Sequence, residues 1–492
     1  MSGAALLAVL PLMIISATPV FVMLAAAFFG GRILSAAVTF SGLALSFASL
    51  FVAAGHAPMN ATPLLTIDNY ALFYMGLIFA ATFAVALLSY SYLEKLDVRR
   101  EEFYVLLLLA AAGSAVLAAS THFASFFLGL ETLSVSLYGL LSYPVERGKA
   151  VEAGVKYLVL AGVSSAFLLF GMALVYGQLG TMEFSGIAVR AAGHFKDPAF
   201  LGALGLIVVG FGFKLAVAPF HMWTPDVYEG APTPVAAFVA TVSKGAVFAL
   251  FLRYFARVDI HQMGPLALEA AVISIASMFI GNLLALLQDN VKRILAYSSI
   301  AHLGYLMIAF LASGPLRVIA VSFYLVSYFI TMLGAFGVVS VLSGAEADAG
   351  DIGLYRGLAY RRPFAAGVFS AMLFSLAGIP LTAGFIGKFY IIAAGAGAAL
   401  WGLVAVLVIN SAIGIYYYVR VIITMFAGTG AAPLGEAVAG ETAVPKGAAV
   451  PAAAIPLGGG LLLAVLTLGL VWLGVYPSPL LCLIQKTIRS LM

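Results

Sequence analysis

Four charged residues lie inside long apolar stretches and are the first candidates for chemistry. Glu131 lies within FFLGLETLSVSLYGL, and Lys214, Lys244 and Lys388 lie within comparable stretches. A charge at the centre of a bilayer costs about 2.5–3.5 kcal/mol on insertion scales, so each one kept there is a candidate functional residue. Lysine can change its protonation state in an apolar setting, whereas arginine stays charged. The set therefore indicates sites that exchange protons.

Each of these residues also has a purely structural interpretation. A lysine near a helix end can extend its amine to the headgroups, which is also an interpretation of Lys156 near the start of its apolar stretch. A glutamate such as Glu131 can simply hold two helices together. Three deep lysines facing one deep glutamate favour a proton path over a purely structural role.

Two apolar stretches carry an internal proline close to one of these lysines. Lys214 lies five residues before Pro219, and Lys388 lies eight residues after Pro380. Proline breaks the helical hydrogen-bond ladder, and in a bilayer the freed carbonyls must be received by protein or by a water-filled cavity. The two prolines are 161 residues apart, which suggests two five-helix repeats. An odd helix number inverts the second repeat relative to the first.

A polar stripe is predicted in VKRILAYSSIAHLGYLMIAF, where Ser298, His302 and Tyr305 follow helical spacing. His302 could relay protons between the lysines. The alternative is a histidine satisfied by a backbone carbonyl or a serine. Lys292, at the start of the same stretch, is either part of the path or a basic residue at the membrane surface.

Cofactors are not expected in this chain. A single cysteine, Cys482, cannot hold an iron–sulfur cluster. The six histidines form no helical pair at ligand spacing, which disfavours a haem. His221, beside Pro219, is instead expected to line a cavity or to pair with Asp226 or Glu229.

The elements that position these residues are predicted to be membrane helices. The chain is 63% hydrophobic and 9% charged, against about 45–50% and about 25% in soluble domains. Runs of about 20 apolar residues are long enough to span a bilayer. The first run lacks a basic start and a cleavage site, so it is expected to be a span and not a signal peptide. An all-α polytopic membrane protein of about fourteen transmembrane helices is predicted, with spans near 4–28, 33–55, 69–92, 103–120, 122–142, 153–179, 200–222, 233–256, 265–287, 292–312, 318–343, 364–395, 398–427 and 451–476.

Basic residues are unevenly divided between the loops of the two faces. The richer face is predicted to be cytoplasmic, which places both termini in the periplasm. A net charge of +4 gives no reason to expect nucleic acid as a partner. The richer face carries Arg32, Lys95, Arg99, Arg100, Arg147, Lys149, Lys292, Arg293, Arg356, Arg361, Arg362 and Lys446, and the other face carries Arg190, Lys196, Arg253, Arg257, Arg317, Lys486 and Arg489.

Four segments are predicted along the chain. Residues 1–100 form three helices, 101–258 the first five-helix repeat and 259–430 the second. Residues 431–492 form a flexible loop and the last transmembrane helix. The stretch 428–450, rich in Ala, Gly, Pro and Glu, is too short to bury a core of its own.

Three stretches carry a family resemblance: GFKLAVAPFHMWTPDVYEGAPTPVAAFVATVSK, VKRILAYSSIAHLGYL and LAGIPLTAGFIGKFY, with SAIGIYYYVR after them. Over nearly the whole chain the sequence resembles the antiporter-like proton-translocating subunits of bacterial NADH:quinone oxidoreductase, respiratory complex I. Sister subunits L and M and the large subunits of Na⁺/H⁺ antiporters and membrane-bound hydrogenases share this core. The lysine of GFIGKF, and an ending without a long lateral helix, resemble the subunit N family.

The resemblance implies a translocase subunit in the bacterial inner membrane. Its implied partners are the other membrane-arm subunits and the lipid bilayer, and NADH, FMN, iron–sulfur clusters and quinone would be bound by other subunits. Glu131 and Lys214 look like the charge pair of the first half-channel, Lys244 like the central lysine and Lys388 like the terminal lysine. The connecting residues that the resemblance implies are His302 and Lys292.

Two other functions stay open from the sequence. A free-standing antiporter exchanging Na⁺ for H⁺ would use the same buried charges. A solute transporter would need a large polar cavity, and few spans carry the several polar residues that such a cavity requires.

Overall fold

The computed structural model describes residues 3–96, 98, 100–258, 261, 263–428 and 455–491. Arg99, Lys446 and all of the predicted 428–450 loop except Gly428 lie outside the described residues. Thirteen helices in the described part of the chain are long and apolar enough to cross a membrane. The all-α membrane fold predicted from composition is confirmed.

The helices follow one another with short connections. A two-stranded antiparallel hairpin, β1 (Met59–Thr62) and β2 (Leu65–Ile67), follows the second helix. The helices are α1 (Gly3–Phe29), α2 (Arg32–Ala54), α3 (Asn69–Leu96), α4 (Glu101–Ala119), α5 (Phe123–Leu141), α6 (Gly148–Leu179), α7 (Phe184–Ala191), α8 (Pro198–Leu215), α9 (Trp223–Gly230), α10 (Thr233–Phe238), α11 (Lys244–Arg257), α12 (Gly264–Leu286), α13 (Val291–Leu311), α14 (Pro315–Leu342), α15 (Leu358–Arg361), α16 (Pro363–Ala377), α17 (Ala383–Gly397), α18 (Trp401–Phe426), α19 (Leu457–Val475) and α20 (Ser478–Leu491).

Both predicted helix breaks are present. Pro219 lies between α8 and α9, and Pro380 lies between α16 and α17. The chain leaves α8 at Ala216 and α16 at Gly378, both with positive φ. The helix predicted at 200–222 therefore ends at Leu215, before Pro219.

Several elements were not predicted. They include the β1–β2 hairpin, the short helix α7, a π-helical turn at Val239–Ser243 and the C-terminal helix α20. The hairpin and α7 are too short to produce a span-length apolar run. Helix α20 buries Ile484 and Ile488 but exposes Leu483 and Arg489. It contacts α3 and α14, so the segment predicted as a loop and one helix contains a second helix.

The centre of the bundle is formed by α10, α11, α13 and α14. Every residue in the most apolar window of Thr233–Arg257 and of Val291–Leu311 is buried, against 28% for Leu457–Val475 near the C-terminus. Close packing depends on small residues, as is usual between membrane helices. A Cβ on Gly281 of α12 would lie 2.6 Å from the backbone nitrogen of Ala301 of α13. The candidate residues on α11 and α13 are therefore held in the best-packed part of the molecule.

Four of the basic residues predicted in the loops are buried: Arg100, Arg253, Lys292 and Arg317. Arg253 is 3% exposed and donates to both carboxylate oxygens of Asp68, at 2.9 and 2.7 Å. Asp68 also accepts from the backbone nitrogen of Ala71 in the first turn of α3. The prediction of Arg253 as a loop residue was wrong, because its charge is paired inside the bundle near the end of α11.

Candidate functional site

Lys214 and Glu131 lie on neighbouring helices but bind to serines. Lys214, in the last turn of α8, is 4% exposed and donates from Nζ to Ser134 Oγ at 2.7 Å. Glu131 accepts from Ser165 Oγ at 2.6 Å and is only partly buried. The acceptor of Lys214, Ser134, lies three residues after Glu131 on the same helix α5.

The break after α8 is satisfied by side chains and by local turns. Trp223 Nε1 donates to the carbonyl of Phe213 at 3.1 Å, and the amide of Ala218 donates to Ser277 Oγ at 2.9 Å. The Lys214 amine also lies 5.4 Å from the centre of the Tyr157 ring, within cation–π range. Backbone groups freed in a membrane must find such partners, and here they fix the position of Lys214.

Lys244 begins α11 directly after the π-helical turn. It is 1% exposed, and its Nζ donates to Ser299 Oγ of α13 at 2.7 Å. The Tyr328 hydroxyl of α14 donates to the same oxygen at 2.7 Å, and the ring of Tyr228 lies 5.4 Å from the amine. A π-turn inserts an extra residue and changes which face the following side chains occupy, so it helps to aim Lys244 at α13.

His302 is held by two tyrosines. Its Nδ1 lies 2.5 Å from the Tyr324 hydroxyl and its Nε2 lies 3.1 Å from the Tyr418 hydroxyl. Tyr418 is also hydrogen-bonded to Ser298, one turn before the histidine. The predicted stripe is thus assembled around α13, and its hydroxyl–imidazole contacts are of a kind that can carry protons.

Lys388 is bound at the second break. It is 7% exposed, and its Nζ donates to the carbonyl of Ala377, the last residue of α16, at 2.9 Å. The amine lies 5.2 Å from the centre of the Tyr305 ring. Tyr305 itself accepts from Asn282 at 3.0 Å. The carbonyl freed by the break therefore becomes the acceptor for the lysine.

Lys292 is buried at one end of α13. It is 1% exposed and donates to the carbonyl of Ala231 at 2.6 Å and to Asp348 Oδ2 at 2.7 Å. Asp348 was not among the predicted residues, because the loop sequence SGAEADAGD has the composition of a solvated connection. Only the tertiary structure shows that its carboxylate is covered.

The acceptors and hydroxyls of the site were also missed. Serine and tyrosine are common in membrane helices, so single occurrences carry little information. Helix-face spacing could have pointed to some of them, since Ser134 lies three residues after Glu131 and Ser299 seven residues after Lys292. The missed residues are Ser134, Ser165, Ser299, Tyr324, Tyr328 and Tyr418.

Of the two alternatives expected for His221, the pairing with Asp226 or Glu229 is not found among the described contacts. Asp226 accepts instead from Lys156 and Arg293, each at 2.8 Å, and Glu229 accepts from Arg293 at 3.1 Å. Burial opposes the charged form, but the hydrogen bonds from Lys156 and Arg293 hold the pKa of Asp226 below its usual value. These ion pairs lie at the end of α9 and leave His221 beside the first break. Within the described residues, no group of three or more His, Cys, Asp or Glu side chains is arranged to hold a metal ion.

Buried lysines beside two helix breaks, with a buried histidine on the central helix α13, are the features expected of an antiporter-like ion-translocating membrane protein. Residues 119–414 match the family described as NADH:quinone oxidoreductase/Mrp antiporter, TM. The described site residues from Glu131 to Lys388 all fall inside that range.

Relatives and solved structures narrow this class. NADH-quinone oxidoreductase subunit N of Nitrosospira multiformis is 51% identical over 96% of this chain and 94% of its own length. The subunit N of Ectopseudomonas mendocina is 46% identical over 98% of this chain and 96% of its own length. The chain belongs to the NADH:quinone oxidoreductase/Mrp antiporter membrane family and, within it, to the subunit N group.

Three solved complexes contain similar chains. In respiratory complex I from Thermus thermophilus with bound Aureothin, the similar chain has 33% identity and a TM-score of 0.78 over 96% of this chain and 98% of that one. In the archaeal membrane-bound sulfane sulfur reductase, the similar chain has 25% identity and a TM-score of 0.81 over 99% of this chain and 97% of that one. The Mrp complex from Dietzia matches at a TM-score of 0.86, over 100% and 98%, but at 21% identity it supports the fold alone.

Proposed function

We propose that this chain is a proton-translocating membrane-arm subunit of a bacterial NADH:quinone oxidoreductase. Its relatives at 46–51% identity carry the name subunit N of that enzyme, and a chain of similar structure is found in a respiratory complex I. Other subunits reduce quinone and bind NADH, FMN and the iron–sulfur clusters. This chain contributes the proton path, embedded in the inner membrane with both termini on the periplasmic side.

The observation that carries the proposal is the bonding of the three deep lysines. Lys214 donates to a serine, Lys244 to a serine and Lys388 to a backbone carbonyl. A neutral acceptor can receive a hydrogen bond from an ammonium or from an amine. Each lysine can therefore release and regain a proton without losing its partner, which a salt bridge to a fixed carboxylate would hinder.

The path is proposed to run through two halves. Glu131 and Lys214 form the proton site of the first half, residues 101–258, which is followed by Lys244. The second half, residues 259–430, is inverted relative to the first and contains His302 and Lys388. Lys244 donates to Ser299 of α13, which also accepts from the Tyr328 hydroxyl of α14.

The first prediction concerns the first half. Replacing Lys214 or Glu131 with Ala in the assembled complex should strongly reduce proton pumping per NADH oxidised, because the first proton site is removed. Pumping is measured as acidification of inverted membrane vesicles, and assembly by the presence of the subunit in the purified complex. Lys196→Ala, at an exposed loop position, is the matched control and should pump normally.

Normal pumping in both variants would refute the roles given to these residues. A free-standing exchanger would instead show Na⁺-dependent proton movement without NADH. Repeating the assay with a sodium gradient and no NADH separates the two functions.

A further inference from the structure

Asp348 gathers donors on both of its carboxylate oxygens. Oδ1 accepts from the Tyr92 hydroxyl at 2.7 Å and from Arg147 Nη1 at 3.0 Å. Oδ2 accepts from Thr233 Oγ1 and from Lys292 Nζ, both at 2.7 Å. The Asp348 side chain is only 10% exposed, although it lies in the connection after α14. A carboxylate with this many donors is unusual for a surface loop.

The four donors come from four separate elements. Tyr92 is in α3, Arg147 precedes α6, Thr233 begins α10 and Lys292 is in α13. In terms of the proposed halves, Arg147 and Thr233 belong to the first and Lys292 to the second. Asp348 is therefore a direct connection between the two halves at one end of the bundle.

The loop 343–351 is attached by more than this one side chain. Arg147 Nη2 also donates to the carbonyls of Ala345 and Gly344, at 2.5 and 3.3 Å. The amide of Val291, at the start of α13, donates to the carbonyl of Gly350 at 2.6 Å. The loop thus lies across the helix ends and covers the amine of Lys292.

The carboxylate stays ionised at neutral pH. Burial alone would raise the pKa of Asp348, but the charge of Lys292 and hydrogen bonds from Lys292, Tyr92 and Thr233 lower it to about 2. Protonation of Asp348 itself therefore does not release its donors at physiological pH; a donor has to move away. The charged or titratable groups that act on Asp348 or Lys292 are Lys95, Arg147, Glu229, Tyr92 and Tyr355.

The position of Lys292 links this cluster to the proposed path. Its second acceptor is the carbonyl of Ala231, directly after α9, the helix that follows the first break. Lys292 is on the same helix as Ser299, which binds Lys244, and as His302. A shift of the Lys292 end of α13 would therefore also displace Ser299 and His302, because a helix moves largely as a unit.

We propose that Asp348 is a positioning residue of proton translocation: it holds Lys292 and the 343–351 loop over the ends of four helices and must release Lys292 during each transfer. This rests on the proposed function. A carboxylate that only fastened the helices would never need to exchange its partner. The two roles can be separated because lysine can give up its charge and arginine cannot.

The test uses the assembled complex in inverted membrane vesicles, with proton pumping per NADH oxidised as the readout. Asp348→Asn should reduce pumping several-fold and Asp348→Glu should restore part of it. Asp351→Asn, in the same loop, is the matched control: Asp351 is exposed and accepts from the amide of Gly353, a bond that asparagine also makes. It should pump normally.

A double-mutant cycle tests whether the two residues act together. If Asp348 acts through Lys292, the double variant Lys292→Met with Asp348→Asn should pump as poorly as Lys292→Met alone. Losses that multiply in the double variant would show independent roles and overturn the proposal. Normal pumping in Asp348→Asn would also overturn it.

If the complex with Asp348→Asn does not assemble, the Lys292→Arg complex is assayed in its place. Arginine retains the ion pair with Asp348 and should preserve assembly, but its permanent charge should block release and reduce pumping. An assembled Lys292→Arg complex that pumps normally would refute the proposal. If the Glu131 and Lys214 variants lose pumping while the Asp348 and Lys292 variants keep it, only this inference fails; normal pumping in the former pair refutes the proposed function itself.

Discussion

Lys388 shows how a single residue combines a structural and a chemical role. Its amine donates to the carbonyl of Ala377, which the second helix break leaves without a helical partner. An unpaired buried carbonyl costs about 1–3 kcal/mol, so the lysine stabilises the break. The same amine is the proposed terminal proton site. Substitutions that keep one of these roles and remove the other can separate them.

A second prediction follows for this residue. Lys388→Arg should preserve assembly, because arginine can still donate to Ala377, but should abolish pumping, because it does not release its proton. Lys388→Glu should keep more pumping than Lys388→Leu, since glutamate is titratable and leucine is not. The measurement is pumping per NADH oxidised, with subunit content as the control for assembly. Equal losses with Glu and Leu, together with normal pumping in Lys388→Arg, would show a structural lysine.

The lysines could be recognised in the sequence more easily than their hydrogen-bond partners. A lysine within an apolar run is visible in the sequence because its insertion is costly. Its acceptor is not visible, since Ser134 and Ser299 look like any other serine of a membrane helix. Asp348 is hidden for the opposite reason: its neighbours in the chain are polar, and its burial results from the packing of the loop over four helix ends.

At the scale of elements, the second break depends on glycine. Gly378 has φ +84°, and a Cβ there would lie 2.9 Å from Lys388 Cδ. The left-handed conformation costs other residues roughly 1–2 kcal/mol. The proline at 380 interrupts the helix, but Gly378 is the residue that ends α16 and leaves room for the lysine.

A third prediction tests this arrangement. Gly378→Ala should displace Lys388 and reduce pumping, with destabilisation of roughly 1–2 kcal/mol from backbone strain. Gly367→Ala is the matched control on the same helix, because a Cβ there meets nothing within 4 Å. The control should pump normally and should be slightly more stable, since alanine favours a helix over glycine. Pumping and thermal inactivation are measured for both. Similar behaviour of the two variants would contradict the role given to Gly378.

The π-helical turn before Lys244 belongs to the same scale. The run VATVSK has no proline or glycine that would mark an irregularity, so its sequence predicts a continuous α-helix. The turn forms where α10 and α11 are completely surrounded by other helices. Tertiary packing therefore overrides local preference at the point where Lys244 must reach Ser299.

At the scale of the whole molecule, the chain is proposed to work as one part of a larger assembly. Glu131 is the least buried of the path residues and lies on α5 near the outward-facing helix α6. Several large apolar side chains of α6 are exposed, including Phe167 and Phe170. Such a surface suits either lipid or neighbouring membrane subunits.

A fourth prediction concerns this assembly. An affinity-tagged chain extracted from native membranes in a mild detergent should bring with it the other membrane-arm subunits and NADH:quinone oxidoreductase activity. The subunits are identified by mass spectrometry, and an unrelated tagged inner-membrane protein of similar size is the control. Recovery of the chain alone, with Na⁺/H⁺ exchange after reconstitution, would contradict the proposed function.

The membrane fold, the two helix breaks and the lysines inside apolar runs could be predicted from the amino-acid sequence. Hydrophobic run length, interior proline and the cost of burying a charge act locally along the chain, so each leaves a local pattern. The partners of these lysines became visible only in the folded structure: Ser134 for Lys214, Ser299 for Lys244, Ala377 for Lys388 and Asp348 for Lys292. These contacts join residues that are distant in the chain, and they depend on which helix faces meet when the bundle packs.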